Sequence, residues 1–101
     1  MNNREKRRAK MRKMIRGTKQ RPRLVVFRSN RYVYGQIIDD SKGETLVSVA
    51  KMEDATSAGK MIAEKAKKLG IRKVVFDRAG YQYHGNVKHL AEAAKGEGLE
   101  F

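Results

Sequence analysis

Residues 1–23 carry eleven basic side chains and one acid, Glu5, a net charge of +10, and this concentration limits what the segment can become. Charges of one sign packed so densely repel one another. Up to Gln20 there is almost nothing apolar beyond Met11, Met14 and Ile15 to offset the entropy of ordering. Residues 1–20 are therefore expected to be a basic arm, disordered when free, and residues 21–101 a single globular domain. The 78 residues after position 23 hold 13 basic and 10 acidic side chains, a net of only +3. A nearly balanced domain behind a strongly basic arm is the arrangement of a nucleic-acid binder, in which the arm displaces counterions from phosphates. A tail kept for solubility alone explains it less well, because cationic excess invites non-specific binding.

The 101 residues include no cysteine, so neither a disulfide framework nor a thiolate metal site can hold the chain together. No apolar stretch approaches the length of a membrane span, and Met1-Asn2-Asn3-Arg4-Glu5-Lys6 lacks the apolar core of a signal peptide. The expectation is a soluble cytoplasmic protein with no membrane partner. Within the arm, Arg4, Arg8, Arg12 and Arg16 recur every four residues, so a helix would align them as one slowly turning stripe. Phosphates would turn their mutual repulsion into attraction. The arm is thus expected to become helical on RNA, with Gly17 as its stop.

Order is expected from Arg21-Pro22 onward. Leu24-Val25-Val26-Phe27 reads as a buried strand, Ser29-Asn30 as a turn, and Tyr32 to Ile38 as a second strand. Asp39 to Gly43 makes another turn before a third strand, Thr45 to Ala50. The period then changes: Ala58, Met61, Ile62, Ala66 and Leu69 follow helical spacing, with Asp54, Thr56 or Ser57 as N-cap and Gly70 as the stop. Val74-Val75-Phe76 reads as a fourth strand whose continuous apolar run suits an interior position. Strand, helix and strand in succession imply a right-handed crossover, so this strand should lie parallel to the first. Val87, Leu90, Ala91 and Ala94 mark a second helix ended by Gly96, with Leu99 and Phe101 packing the terminus back. The fold class is α/β: an antiparallel three-stranded meander plus one parallel strand, with two helices.

Chemistry gathers in the loop after the fourth strand, where ligands settle in open α/β sheets. Tyr81, Tyr83 and His84 stand near Arg78 and Lys88, between Gly80 and Gly85. Aromatics stack on unpaired bases and the cations meet phosphates. The plainer reading is that one tyrosine closes the core and Arg78 pairs with Asp77 or another acid. Arg28-Ser29-Asn30-Arg31-Tyr32 is a second candidate, a polar hairpin tip; Tyr32 and Tyr34, two apart, would share a sheet face. Nothing calls for a cofactor. His84 and His89 lack the partners of a zinc site, and no phosphate loop or nucleophile elbow is present. A metal-dependent nuclease using Asp39 or Asp40 with Asp77 is disfavoured, since Asp39-Asp40 sits in a Gly-containing turn and the first strand ends in Arg28, which repels a metal ion.

Several ordered motifs resemble one family across essentially the whole chain. They are Arg21-Pro22-Arg23-Leu24-Val25-Val26-Phe27-Arg28-Ser29-Asn30, Val74-Val75-Phe76-Asp77-Arg78, Tyr81-Gln82-Tyr83-His84-Gly85 and the ending Gly98-Leu99-Glu100-Phe101. The chain is similar to the bacterial large-ribosomal-subunit protein L-eighteen family, which binds 5S ribosomal RNA. The resemblance implies a non-catalytic protein that bridges 5S rRNA to 23S rRNA in the central protuberance, beside neighbouring large-subunit proteins, and that is a monomer outside the ribosome. It also implies a ribonuclease H-like, translational-machinery type of mixed sheet without the catalytic acids. Carried over by position, the family's RNA-contacting regions fall on the arm, on the tip Arg28-Ser29-Asn30-Arg31 and on the loop from Gly80 to Lys88. With the reading of the residues themselves, the expected RNA-binding set is Arg4, Arg7, Arg8, Arg12, Arg16, Arg21, Arg23, Arg28, Ser29, Asn30, Arg31, Tyr32, Arg78, Tyr81, Tyr83, His84 and Lys88. The chain departs from the family pattern in a shorter stretch from Lys51 to Ala58, in Ala79 where glycine is common, and in Asn86 where arginine is frequent. Asn86 can still cap the helix or hydrogen-bond RNA. A general RNA-binding or annealing protein is the alternative of a different class.

Overall fold

The computed structural model describes residues 3–101, with the course of the backbone alone for residues 10–14. Three helices and four strands follow in the order α1 (Asn3–Met14), β1 (Arg23–Arg28), β2 (Val33–Asp39), β3 (Glu44–Met52), α2 (Ala55–Lys68), β4 (Val75–Asp77) and α3 (Asn86–Gly96). They form one mixed sheet in the order β3-β2-β1-β4. β1 runs antiparallel to β2 and parallel to β4, and β2 runs antiparallel to β3, which is the meander-plus-crossover expected from the sequence.

The position of β4 corrects one expectation. Its apolar run argued for an interior strand, yet β4 is three residues long and forms the sheet edge. The apolar content is used by the chain's own ending. The Val74 amide donates to the Glu100 carbonyl (3.0 Å), the Glu100 amide donates to the Arg72 carbonyl (2.9 Å), and Phe101 stacks on Phe76 with centroids 5.3 Å apart. The last residues therefore cover part of the edge and limit pairing with foreign strands.

One face of the sheet carries α2 and α3. Leu24 and Val26 of β1, Val33 and Ile37 of β2, and Val47 and Val49 of β3 pack against Ala58, Ile62 and Ala66 of α2 and Val87, Leu90 and Ala94 of α3. Small residues let these two helices approach closely. A β-carbon built on Gly59 would fall 2.3 Å from the Leu90 carbonyl oxygen and 2.8 Å from the Ala93 β-carbon. Gly59→Ala adds about 1 kcal/mol of helix propensity, but overpacking of this kind costs about 1–3 kcal/mol and here meets backbone that cannot yield locally. The expected outcome is a lower melting temperature in thermal unfolding; a rise would show that the helix crossing relaxes freely.

α2 begins at a side-chain cap. Asp54 Oδ1 accepts from the Thr56 amide (3.1 Å) and Oδ2 from the Ser57 hydroxyl (2.6 Å), while Gly70, at φ +74°, turns the chain after the last helical turn. The Ser57 hydrogen bond above all, helped by the Thr56 and Ser57 amides and the charge of Lys60, holds the Asp54 carboxyl below its usual 3.8 despite desolvation. A depressed carboxyl pKa contributes stability that is present above the unfolded value and lost as pH falls through the folded one. Asp54→Asn keeps an acceptor oxygen without the charge. The acid limb of melting temperature against pH, below about pH 4, is expected to become shallower; an identical limb would exclude Asp54 from the acid response.

Residues 3–14, expected to lack structure in the free chain, form α1 against the loop of residues 79–81. The guanidiniums that would repel each other in an isolated helix here find acceptors: Arg4 Nη1 donates to the Ala79 carbonyl (3.0 Å) and Arg7 Nε to the Gly80 carbonyl (3.1 Å). Gly80 permits the approach, because a β-carbon there would lie 2.4 Å from the Arg4 carbonyl oxygen. The helix ends at Met14, not at Gly17, so Arg16 lies beyond it and the four-arginine stripe is interrupted. Gly17 has another use. Its amide donates to Asp40 Oδ2 (2.7 Å), and a β-carbon there would lie 2.3 Å from the Arg23 nitrogen, so the root of the arm sits directly on β1.

Candidate nucleic-acid interface

The arginine that opens β1 is committed inside the fold. Arg23, 8% exposed, donates from Nε to Asp40 Oδ2 (2.9 Å), from Nη2 to Asp40 Oδ1 (3.2 Å) and from Nη1 to Asp77 Oδ2 (2.8 Å). Asp77, 1% exposed, accepts the Ala79 amide on its other oxygen (2.8 Å). Burial opposes the charge on Arg23, but hydrogen bonds and attraction from Asp40 and Asp77 outweigh it and push the guanidinium pKa up. The same network engages the acids of the nuclease alternative: Asp40 and Asp77 bind a permanent cation, and Asp39 accepts from the Ser41 amide and hydroxyl.

The network also shapes the loop above it. With its amide fixed on Asp77, Ala79 adopts φ +54°, the left-handed region that favours glycine, and turns its carbonyl to Arg4. The loop then reaches α3, whose N-cap is Gly85 with no side-chain cap bond; Asn86 is the first helical residue, so it does not cap the helix as the sequence allowed.

Between α1, the end of β1 and this loop lies an open groove of about 410 Å³, lined by Arg4, Arg7, Arg28, Tyr81, Gln82, His84, Gly85 and Asn86. Arg4 and Arg7 come from one helical turn after another, Arg28 from the last residue of β1, and the start of α3 adds uncapped amides of positive partial charge. Three guanidiniums converge on a concave wall that, among the described residues, has no carboxylate in its lining. The Tyr81 ring stands among them, with the Arg4 Cζ 4.5 Å and the Arg28 Cζ 5.4 Å from its centroid. Arginine forks suit phosphate oxygens, and a wall of this make-up is chemically an oxyanion cradle.

Of the expected site residues, the structure thus brings Arg4, Arg7, Arg28, Tyr81 and His84 together. Arg8 stands beside them over Phe27, 5.8 Å from its centroid. The tip after Arg28 is a turn in which the Ser29 amide donates to the Tyr32 carbonyl (2.9 Å) and the Tyr32 amide to the Ser29 hydroxyl (3.2 Å), so Ser29 builds the turn that carries Asn30. Arg31 pairs with Glu53 at 3.1 Å in the open and lies 5.6 Å from the Tyr32 ring centroid. Tyr34, not Tyr32, is the strand residue on the sheet face, stacked on Phe27 at 5.4 Å. Tyr83 lies outside the groove, 40% exposed and edge-on to Phe76 at 6.1 Å; burial, then Glu92, push its phenol pKa up. Arg78 is half-buried and Lys88 exposed, 3.9 Å from Glu92. Arg21 sits at the opposite end of β1, beside Phe101, and Arg16 is exposed past α1. The side chain of Arg12 lies outside the described residues. The start of α3, expected from the sequence to offer N–H groups to an anion, lies at the groove through Gly85 and Asn86, whereas Gln82 was not singled out as a contact from the sequence.

Comparison with known proteins shows the family. A family model described as ribosomal L18 of archaea, bacteria, mitochondria and chloroplast matches residues 1–101. The large ribosomal subunit protein uL18 of Petrotoga mobilis is 51% identical over 112 aligned positions, covering 97% of this chain and 92% of that protein. Those of Azobacteroides pseudotrichonymphae (55%, covering 91% and 89%) and Staphylococcus aureus (50%, covering 95% and 90%) are similar to the same degree. The 112 positions exceed the 101 residues of this chain, so the Petrotoga protein has residues without a counterpart here. The two-residue link Glu53-Asp54 between β3 and α2 is one short connection in this structure.

Proposed function

The chain belongs to the ribosomal L18 family, and from that premise we propose that it binds 5S rRNA and helps attach it to 23S rRNA in the central protuberance. At the coarser level it is a large-subunit ribosomal protein of the cytoplasmic ribosome, with rRNA and other ribosomal proteins as partners, and its relatives are structural proteins rather than enzymes. The observation that carries the finer reading is the convergence of Arg4, Arg7 and Arg28 on one groove beside the uncapped start of α3. Converging forks hold a phosphodiester backbone in a chosen orientation, whereas an arm of scattered charge holds any polyanion. The rest of the basic segment adds counterion release along the backbone. His84, exposed at the groove, and the Asn30-Arg31 tip next to Arg28 supply the groups that would meet unpaired bases.

The test is competition binding of the full chain to 5S rRNA and to an unrelated structured RNA of equal length at physiological salt. A preference for 5S rRNA on the order of 10³-fold is expected, the lower end for specific nucleic-acid recognition. Equal affinity for the two RNAs would sink the 5S reading and point instead to a general RNA-annealing protein.

A further inference from the structure

We propose that Tyr81 is a positioning residue, which holds Arg4 and Arg28 at the groove and is not itself a stacking surface for RNA bases. The proposal rests on the groove being an RNA-phosphate site and goes further in assigning how its arginines are set. Tyr81 is fixed at both ends: its amide donates to the Arg78 carbonyl (3.0 Å), its hydroxyl donates to the Arg28 carbonyl (3.0 Å), and the ring packs against the hydrophobic core. Onto that immobile ring come two guanidiniums, from Arg4 at 4.5 Å and Arg28 at 5.4 Å. They repel each other, and they originate 24 residues apart on different elements, α1 and β1. What they share is the negative π-system of one ring, which attracts each cation and leaves the guanidinium edges to meet phosphate oxygens. The hydroxyl bond to the backbone of Arg28 ties the ring to the root of that arginine. A base stacking on Tyr81 would compete with these cations for the same ring. Without the ring, Arg28 regains its rotamer freedom and Arg4 keeps only its single bond to the Ala79 carbonyl, so their charge is spread rather than aimed.

The readout that separates positioning from stacking is the slope of log K against log salt, because each correctly placed phosphate contact contributes roughly 0.7–0.9 to it. Slopes are measured for the full chain, Tyr81→Phe, Tyr81→Leu, Arg4→Gln with Arg28→Gln, and the triple variant Arg4→Gln, Arg28→Gln, Tyr81→Leu. Each is titrated with 5S rRNA and with the unrelated RNA, so that a failed 5S preference is seen separately from a failed positioning role. Tyr81→Phe, which keeps the ring, is expected to retain the slope. Tyr81→Leu is expected to be shallower by roughly 1.4–1.8 units, matching the double arginine variant, and the triple variant to lose nothing further. An unchanged slope with affinity reduced by one factor at every salt concentration would mean that the ring stacks on a base, and it overturns the proposal, as does full affinity in Tyr81→Leu. Melting curves accompany each variant. If Tyr81→Leu fails to fold, the Tyr81 ring-proton shifts of the unaltered chain decide on addition of RNA: strong upfield movement from a stacked base overturns the proposal, and retained shifts support it.

Discussion

Arg23→Gln is expected to destabilise the protein by about 3–5 kcal/mol, the range for removing one partner of a buried ion pair. The reason lies in what is left behind. Asp77, at 1% exposure, would keep its bond from the Ala79 amide but lose the charge that balances it, while Asp40 would lose both of its guanidinium bonds. For a domain of this size, whose total stability is about 5–15 kcal/mol, such a loss approaches unfolding; at roughly 4–8 °C per kcal/mol the melting temperature should fall by more than about 10 °C. The damage should reach the groove as well. Asp77 holds Ala79 in its left-handed conformation, and the Ala79 carbonyl receives Arg4, so the arm is tied to the network at its helix through Ala79 and at its root through the Gly17 amide on Asp40. The double variant Arg23→Met with Asp77→Asn removes both charges together and should recover part of the loss, because replacing a whole buried pair costs far less than halving it. A melting temperature within about 3 °C of the unaltered chain for Arg23→Gln, less than the shift from 1 kcal/mol, would mean that water reaches Asp77 and that the network is not a structural centre.

Arg23 also shows where reading from residues runs out. The apolar run Leu24 to Phe27, the helical spacing of Ala58, Ile62 and Ala66, and the strand-helix-strand order are local or nearly local signals, and each leads to the observed element and to the parallel pairing of β4 with β1. An arginine in a basic stretch carries no such mark. Arg23 stands among the charges of the arm, yet its partners Asp40 and Asp77 lie 17 and 54 residues away, and only the finished sheet brings them under it. The docking of α1 is hidden for the same reason, since Arg4 and Ala79 are 75 residues apart and the acceptor is a backbone carbonyl, which no residue type announces. The edge position of β4 was misread because an apolar run records only that the segment is covered. Here much of the cover is Leu99 and Phe101 of the chain's own ending, not a further strand. The candidate site was legible as a set of loops and charges, but which of them meet was not: Tyr81 and His84 line the groove while Tyr83, between them in the loop motif, turns to Phe76.

The largest effect on binding is expected from replacing Arg4, Arg8, Arg12 and Arg16 together with glutamine. If each neutralises one phosphate, the slope of log K against log salt should flatten by roughly three to four units. Between 50 and 200 mM salt, a fourfold change, the variant would then lose less affinity than the unaltered chain by a factor on the order of 10². Charge number alone predicts the same change for any four arginines, and the structure separates the cases. Arg23 already has Asp40 and Asp77 as counter-ions, so exchanging it for one member of the set, in a chain that still folds, should leave the flattening short by one contact. Arg16 provides the contrasting case, being exposed beyond the end of α1 and out of line with the stripe. A full share of the slope from Arg16 would mean that α1 lengthens toward Gly17 on RNA. An unchanged slope in the fourfold variant would remove the arm from the phosphate contacts and leave Arg28 and the loop to account for binding.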